Sequence, residues 1–263
     1  ILAGNGSDEI LTLLVRGFVG EGQRLRLPHP SYILYRTLAD IQGAEWEQIA
    51  FNPDWTLPEE FGLSDPALRL VLLPNPNSPS GTLIRPEEVE TLVQNLDCPL
   101  VVDEAYVDFA DCNCLELVQR NERVLVTRTL SKSYALAGIR FGFLIAQPHV
   151  VAELAKIKDS YNCDMISIAA ATAAISSTEW LAQTRATLLA TRERMAQRLS
   201  GMGFDVTPSQ ANFLWCRHPS GEHEAMYQHC KANGYLIRYM NYPGYGDGLR
   251  ISVGSDQEVD ACM

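Results

Sequence analysis

Residues 128–140 read RTLSKSYALAGIR, and the setting of their single lysine decides how the rest of the chain is organised. RVLVTRT (123–129) is a β-branched run of strand character, and the small residues Ala135, Ala137 and Gly138 follow the lysine. Lys132 therefore lies just past a strand, between Ser131 and Ser133, with Arg140 eight residues further on. A solitary lysine is ordinarily a solvated surface group. Here Thr129, Ser131 and Arg140 are together suited to one phosphate, and a shielded lysine can form an imine with an aldehyde.

Working outward, the first 150 residues alternate short Leu-rich or β-branched runs with amphipathic stretches. That alternation predicts an α/β sheet with helices on its faces. The strand candidates are QRLRLP (23–28), EWEQIAF (45–51), LRLVLLP (68–74), PLVVDEAY (99–106), RVLVTRT (123–129) and FGFLIA (141–146). In RPEEVETLVQNL (85–96), Pro86 stands at a first helical position, and Glu87 and Glu88 suit the positive helix start. Residues 149–160 predict a second amphipathic helix. Residues 165–200 predict one longer helix, rich in Ala, Leu, Arg and Glu, which Gly201 and Gly203 end. FDVTPSQANFLWCR (204–217), EHEAMYQHCKANG (222–234), YLIRYM (235–240) and LRISVG (249–254) then give a β-α-β-β pattern. The expected division is a large domain over 1–190, including the linking helix, and part of a smaller α+β domain over 191–263.

In a doubly wound sheet, ligand-binding residues collect at the carboxyl ends of the strands. GNGSDEI (4–10) sets Gly6, Ser7 and Asp8 at a helix start, where free N–H groups and the helix dipole attract a phosphate. Ser7 and Asp8 are also ordinary N-cap residues. LRLVLLPNPNSPSG (68–81) ends a strand in a polar turn holding Asn75, Asn77, Pro79 and Gly81, a composition that turn chemistry also explains. PLVVDEAY ends a strand at Asp103 with Tyr106 close by, and a strand-end acid of this kind can equally cap a loop.

A net charge of −11 repels nucleic-acid backbones, and no basic patch offsets it, so no nucleic-acid partner is expected. The seven cysteines (98, 112, 114, 163, 216, 230 and 262) are odd in number and lack CxxC spacing, which fits reduced thiols in a cytoplasmic protein. Cys112 and Cys114 read as ordinary thiols, and His218, His223 and His229 as surface or helix residues, so no metal is expected. No run of about 18 apolar residues is present, and a soluble protein without a membrane partner is expected.

Six stretches in this order, GNGSDEI, NPNSPSG, DEAYVDF, RTLSKSYALAGIRFG, SQANFLW and LRISVGS, resemble the fold-type-I family of pyridoxal-phosphate enzymes, within it the histidinol-phosphate aminotransferases. The resemblance covers nearly the whole chain. It implies a mostly parallel central sheet with helices on both faces, a smaller α+β domain, and pyridoxal 5'-phosphate as cofactor. It implies that Lys132 attaches the cofactor and shuttles a proton between substrate Cα and cofactor C4′, that Asp103 pairs with the pyridine nitrogen, and that Asn77 and Tyr106 bond the phenolic oxygen. By the same resemblance Tyr32 stacks on the ring. The cofactor phosphate falls to the backbone of Gly6, Ser7 and Asp8 with Ser131, Arg140 and, less directly, Thr129. Arg238 and Arg250 would hold the phosphate or carboxylate of substrates, with Asn212 near them.

The implied reaction exchanges an amino group between glutamate and a phosphorylated acceptor, in a homodimer with shared active sites. Ser78 and Ser80 stand where the family usually has a second Asn and a Thr. The resemblance also implies an amino-terminal segment ahead of Ile1, supplying part of the small domain and a tyrosine for the other subunit's cofactor, and a final helix beyond DQEVDACM (256–263). Two other readings stay open at this point. A threonine-phosphate decarboxylase uses a very similar framework, as would another amino-acid aminotransferase. A non-catalytic ligand-binding domain, like those coupled to DNA-binding modules, shares the fold as well.

Overall fold

Leu70, Leu72 and Val101 are buried on one side of a sheet, and Val71, Leu73 and Val102, their immediate neighbours in sequence, are buried on the other. Side chains alternate across a strand, so such continuous apolar runs belong to strands covered on both faces. The computed structural model, which describes residues 1–263, shows that sheet. Its strands are β1 (Leu2–Asn5), β2 (Arg24–His29), β3 (Glu45–Ala50), β4 (Leu68–Pro74), β5 (Leu100–Asp103), β6 (Val124–Thr129) and β7 (Phe141–Ile145). They lie in the order β1-β7-β6-β5-β4-β2-β3. Strands β2 to β6 run parallel, while β7 is antiparallel to both of its neighbours.

Helices α1 (Gly6–Phe18), α2 (Leu34–Gln42) and α5 (Pro148–Ile157) cover one face, burying Ile10, Leu14, Tyr35, Leu38 and Leu154 against it. Helices α3 (Pro86–Gln94) and α4 (Leu115–Arg120) cover the other through Val89, Val93, Leu117 and Val118. As its sequence predicts, α3 begins with Pro86 at the first turn, and the Glu88 side chain accepts the N–H of Arg85 at 2.9 Å.

The expected single helix over 165–200 is two helices, α6 (Met165–Ser176) and α7 (Thr178–Gly201), meeting at 73°. Ser177 leaves the helical region (φ −88°, ψ 57°). The hydroxyls of Ser176 and Ser177 donate to the carbonyls of Thr172 and Ala173, at 2.9 and 3.0 Å. A serine pair that bonds back in this way is a known site of sharp helix bends. No single helix is long and apolar enough to cross a membrane.

Beyond α7, β8 (Asp205–Thr207), β9 (Phe213–Arg217), β10 (Arg238–Tyr242) and β11 (Gly246–Ser252) form an antiparallel sheet in the order β10-β11-β9-β8. Its core joins Leu214, Cys216, Leu249 and Ile251 to Met195 and Leu199 of α7. Between β9 and β10 runs α8 (His223–Ala232), whose first residue is buried rather than at the surface; His223 Nε2 accepts the N–H of His218 at 2.7 Å. Residues Asp256–Cys262 form α9, capped by Ser255 Oγ, a helix that the sequence did not predict.

Candidate active site

Strands β4, β5 and β6 point their carboxyl ends at a cleft of about 650 Å³, whose far wall comes from β10 and β11. Asp103, the last residue of β5, is buried there. Parallel pairing sets Thr127 of β6 beside it, and the Thr127 hydroxyl donates to Asp103 Oδ1 at 3.1 Å. From α2, the hydroxyl of Tyr35 donates to Oδ2 at 2.7 Å. Burial raises the Asp103 pKa, and these two hydrogen bonds oppose the rise by favouring the ionised form.

Lys132 lies three residues beyond β6, with its Nζ 5.3 Å from the centre of the Tyr106 ring. The chain has four lysines, and the other three are engaged elsewhere. Lys156 pairs with Glu153, Lys158 bonds Asn162, and Lys231 lies over Tyr227. Only Lys132 lines the cleft.

Beside Lys132 the chain turns back through Arg140, which holds a left-handed backbone conformation (φ 55°) uncommon for any residue but glycine. That turn sends its guanidinium across the start of α1. Nη1 donates to Ser131 Oγ at 3.5 Å and to the Ala137 carbonyl at 3.1 Å, while Nη2 reaches Asp8 Oδ2 at 3.1 Å. The Thr129 hydroxyl sits 2.9 Å from Ser131 Oγ and accepts the Ser131 N–H at 3.2 Å. Asn5 gives α1 no side-chain cap, leaving the N–H groups of the first turn to a ligand. Space is closed to side chains here. A Cβ on Gly6 (φ 80°) would lie 2.5 Å from Arg140 Nη2, and one on Gly142 would lie 2.3 Å from the Ser7 nitrogen.

Tyr32 stands at the cleft mouth, its hydroxyl 3.4 Å from Asp8 Oδ1 and its ring edge-on to Tyr35. Its partial burial pushes the phenol up to about 12. Tyr106 lines the cleft, edge-on to Phe213. Asn77 lies behind the wall that Pro76 and Ser78 form; its Nδ2 donates to Pro30 O and Ser80 Oγ, and its buried Oδ1 has no partner.

On the far wall, Arg238 of β10 and Arg250 of β11 are directly opposite in the antiparallel register. Arg250 Nη1 donates to Ser78 Oγ at 2.8 Å, and its guanidinium lies 4.8 Å over the Phe213 ring. Its buried Nε has no partner, and burial lowers its pKa. Asn212 does not line the cleft; its carbonyl accepts the Val253 N–H at 2.9 Å.

Tyr35, which lines the cleft, and Thr127, a buried residue bonded to Asp103, carried no signal in the motifs. Tyr35 follows Tyr32 by three residues, one helical turn, and Thr127 precedes Thr129 by two, on the same strand face; these spacings are the signals available for them. Ser78 holds Arg250, so the exchange of Asn for Ser at that position touches a predicted substrate contact. The cleft also takes in His29 and Arg36. Its cations, Arg36, Lys132, Arg140, Arg238 and Arg250, outnumber its carboxylates, Asp8 and Asp103, which suits a ligand with several negative charges.

A flat, phosphorylated, aldehyde-bearing cofactor fits these residues. The glycine-lined cradle under Arg140 could hold a phosphate, the buried carboxylate of Asp103 could pair with a cationic ring nitrogen, and Lys132 could supply an amine between them in sequence. The fold is that of the fold-type-I transferases. All 263 residues match the model of aminotransferase class I and II, and the chain belongs to that family. It is 68% identical to a histidinol-phosphate aminotransferase of Rhodopirellula baltica over 263 residues, all of this chain and 73% of that relative. It is 41% identical to histidinol-phosphate aminotransferase 1 of Nostoc sp. over 258 residues, 98% of this chain and 73% of that one. Among solved structures, the histidinol-phosphate aminotransferase of Sinorhizobium meliloti in complex with pyridoxal-5'-phosphate superposes with a TM-score of 0.88 at 24% identity, covering 99% of this chain and 74% of that one. The Clostridium acetobutylicum enzyme gives 0.89 at 21%, over 99% and 80% of the two chains. At those identities the structures speak for the fold.

Proposed function

We propose that this aminotransferase exchanges an amino group between glutamate and 2-oxoglutarate on one side and histidinol phosphate and imidazole acetol phosphate on the other. The observation that carries the reading is the register pairing of Arg238 with Arg250 across the cleft from Lys132. Two guanidinium forks side by side suit a carboxylate in one half-reaction and a phosphate in the other. Identity of 68% to a relative of that name, along the whole chain, supports the same substrates.

When bound, pyridoxal phosphate supplies a carbonyl that amines can join and a ring that draws electrons away from substrate Cα. Lys132 Nζ would anchor it between turnovers and, when free, would take the proton from substrate Cα. Asp103 offers the ring nitrogen a buried negative charge. The N–H groups of Gly6, Ser7 and Asp8, with Ser131 and Arg140, hold the phosphate, and Thr129 orients Ser131. Tyr32 would cover the ring and Tyr106 would serve its phenolic oxygen, while Asn77, whose amide N–H groups are engaged by Pro30 O and Ser80 Oγ, would steady the turn beside it. Arg250, steadied by Ser78 and Phe213, takes the anionic end common to all substrates.

Loss of one charge-assisted hydrogen bond weakens binding about tenfold to a hundredfold. Arg250→Ala is therefore expected to lower kcat/KM by that order in both half-reactions. Arg238→Ala is expected to cut kcat/KM for histidinol phosphate by that order and for glutamate by less. Half-reaction kinetics with each substrate make the comparison. Equal losses for both substrates in Arg238→Ala would remove its phosphate-selective role.

The same proposal makes the enzyme a homodimer. Met165, Ile166, Ile168 and Ile175 of α6 are exposed, together an apolar surface suited to a second copy. Sedimentation at micromolar concentration is expected to give twice the 29.2 kDa chain mass, and a monomer at that concentration would count against it. Seven free cysteines support a reducing, cytoplasmic setting.

A further inference from the structure

Tyr35 is among the largest side chains wholly removed from solvent, yet its hydroxyl lies at the active site. A buried phenol needs a hydrogen-bond partner, and most side-chain hydrogen bonds go to backbone groups or water. Its partner is instead Asp103 Oδ2, at 2.7 Å, within the range of a charge-assisted O–H···O⁻ bond. An ionised carboxylate only accepts, so Tyr35 and Thr127 must both donate, one to each oxygen. Two donors arriving from different elements, α2 and β6, fix the plane of the carboxylate as well as its charge.

We infer that Tyr35 is a positioning residue, which with Thr127 clamps Asp103 ionised and aimed at the cofactor's ring nitrogen; this rests on the role of Asp103 proposed above. The clamp answers a physical conflict. Burial by itself drives Asp103 to bind a proton, and the negative charge of Asp8 acts in the same direction. A protonated carboxyl cannot balance a pyridinium. Opposing this are the two hydroxyls and the backbone N–H of Ala105. The phenols of Tyr32 and Tyr106 also lie close to Tyr35, whose own acidity is suppressed by burial, so it stays a donor. A residue that merely filled the core would do so as well without its hydroxyl.

Tyr35→Phe removes that one oxygen and keeps the volume, and Thr127→Val serves as the second variant should the first fold poorly. Circular dichroism checks folding. Carboxyl-carbon NMR of Asp103 in the cofactor-free protein reads the clamp directly. Relative to the unaltered protein, Asp103 is expected to titrate at higher pH in either variant. In the loaded protein, the ¹⁵N shift of the labelled ring nitrogen is expected to move toward its unprotonated position, and the cofactor to bind about tenfold to a hundredfold more weakly. Unchanged titration of Asp103 in a folded Tyr35→Phe protein overturns the clamp. If the titration moves but the ring-nitrogen shift is the same in the unaltered, Tyr35→Phe and Asp103→Asn proteins, the premise that Asp103 faces the ring nitrogen fails instead, and the inference with it.

Discussion

Lys132→Ala is expected to slow amino transfer from glutamate about 10²- to 10⁴-fold, the range lost when a positioned general base is removed. Loss of cofactor attachment adds to that deficit. No other amine is placed to substitute, because Lys156, Lys158 and Lys231 are engaged with partners outside the cleft. Single-turnover measurement with saturating cofactor isolates the chemical step from binding. A variant within tenfold of the unaltered rate would show that some other group moves the Cα proton. The protein should remain folded, since Lys132 makes no ion pair and sits exposed in the open cleft.

Asp103→Ala gives the second large effect and separates attachment from activation. Its buried carboxylate stabilises charge that develops on the ring, and removing one such preorganised group costs about 10²–10³ in rate. The cofactor should still join Lys132, whose Nζ does not touch Asp103, and absorbance of the loaded variant reads that attachment. The substitution also strands the hydroxyls of Tyr35 and Thr127. Each unsatisfied buried group costs about 1–3 kcal/mol, so a lowered melting temperature is expected alongside. Asp103→Asn keeps an acceptor for one of the two hydroxyls and turns an amide donor toward the other, which can rotate to accept from it, and is the milder control. A near-normal half-reaction rate in folded Asp103→Ala would remove Asp103 from the ring nitrogen.

The sheet was legible because its strands are short apolar runs bounded by turn residues. Leu70 to Leu73, and Leu100 to Val102, admit no other economical burial. Lys132, Arg140 and the glycine-rich start of α1 were legible because phosphate binding needs donors at strand ends and helix starts. The break at Ser177 was not, since a local bond from a hydroxyl to a carbonyl outweighs helix-forming composition on both sides. Helix α2 passed unpredicted, and Tyr35 with it: the sequence offers a tyrosine in a short apolar stretch, and only tertiary packing brings its hydroxyl to a carboxylate 68 residues away. Ser78 stands where the family usually has an Asn, and nothing in its own stretch of sequence marks it as a contact. Its contact with Arg250 spans 172 residues and two sheets, a pairing that no local spacing encodes.

The central claim is that Lys132 carries the cofactor, and borohydride reduction of the loaded protein followed by peptide mapping tests it most directly. Reduction converts a lysine–cofactor linkage into a stable secondary amine, whose added mass marks the residue. The expected result is stoichiometric label on the peptide containing Lys132 and none on those containing Lys156, Lys158 or Lys231. Label at one of those three, or no label with excess cofactor present, would contradict it.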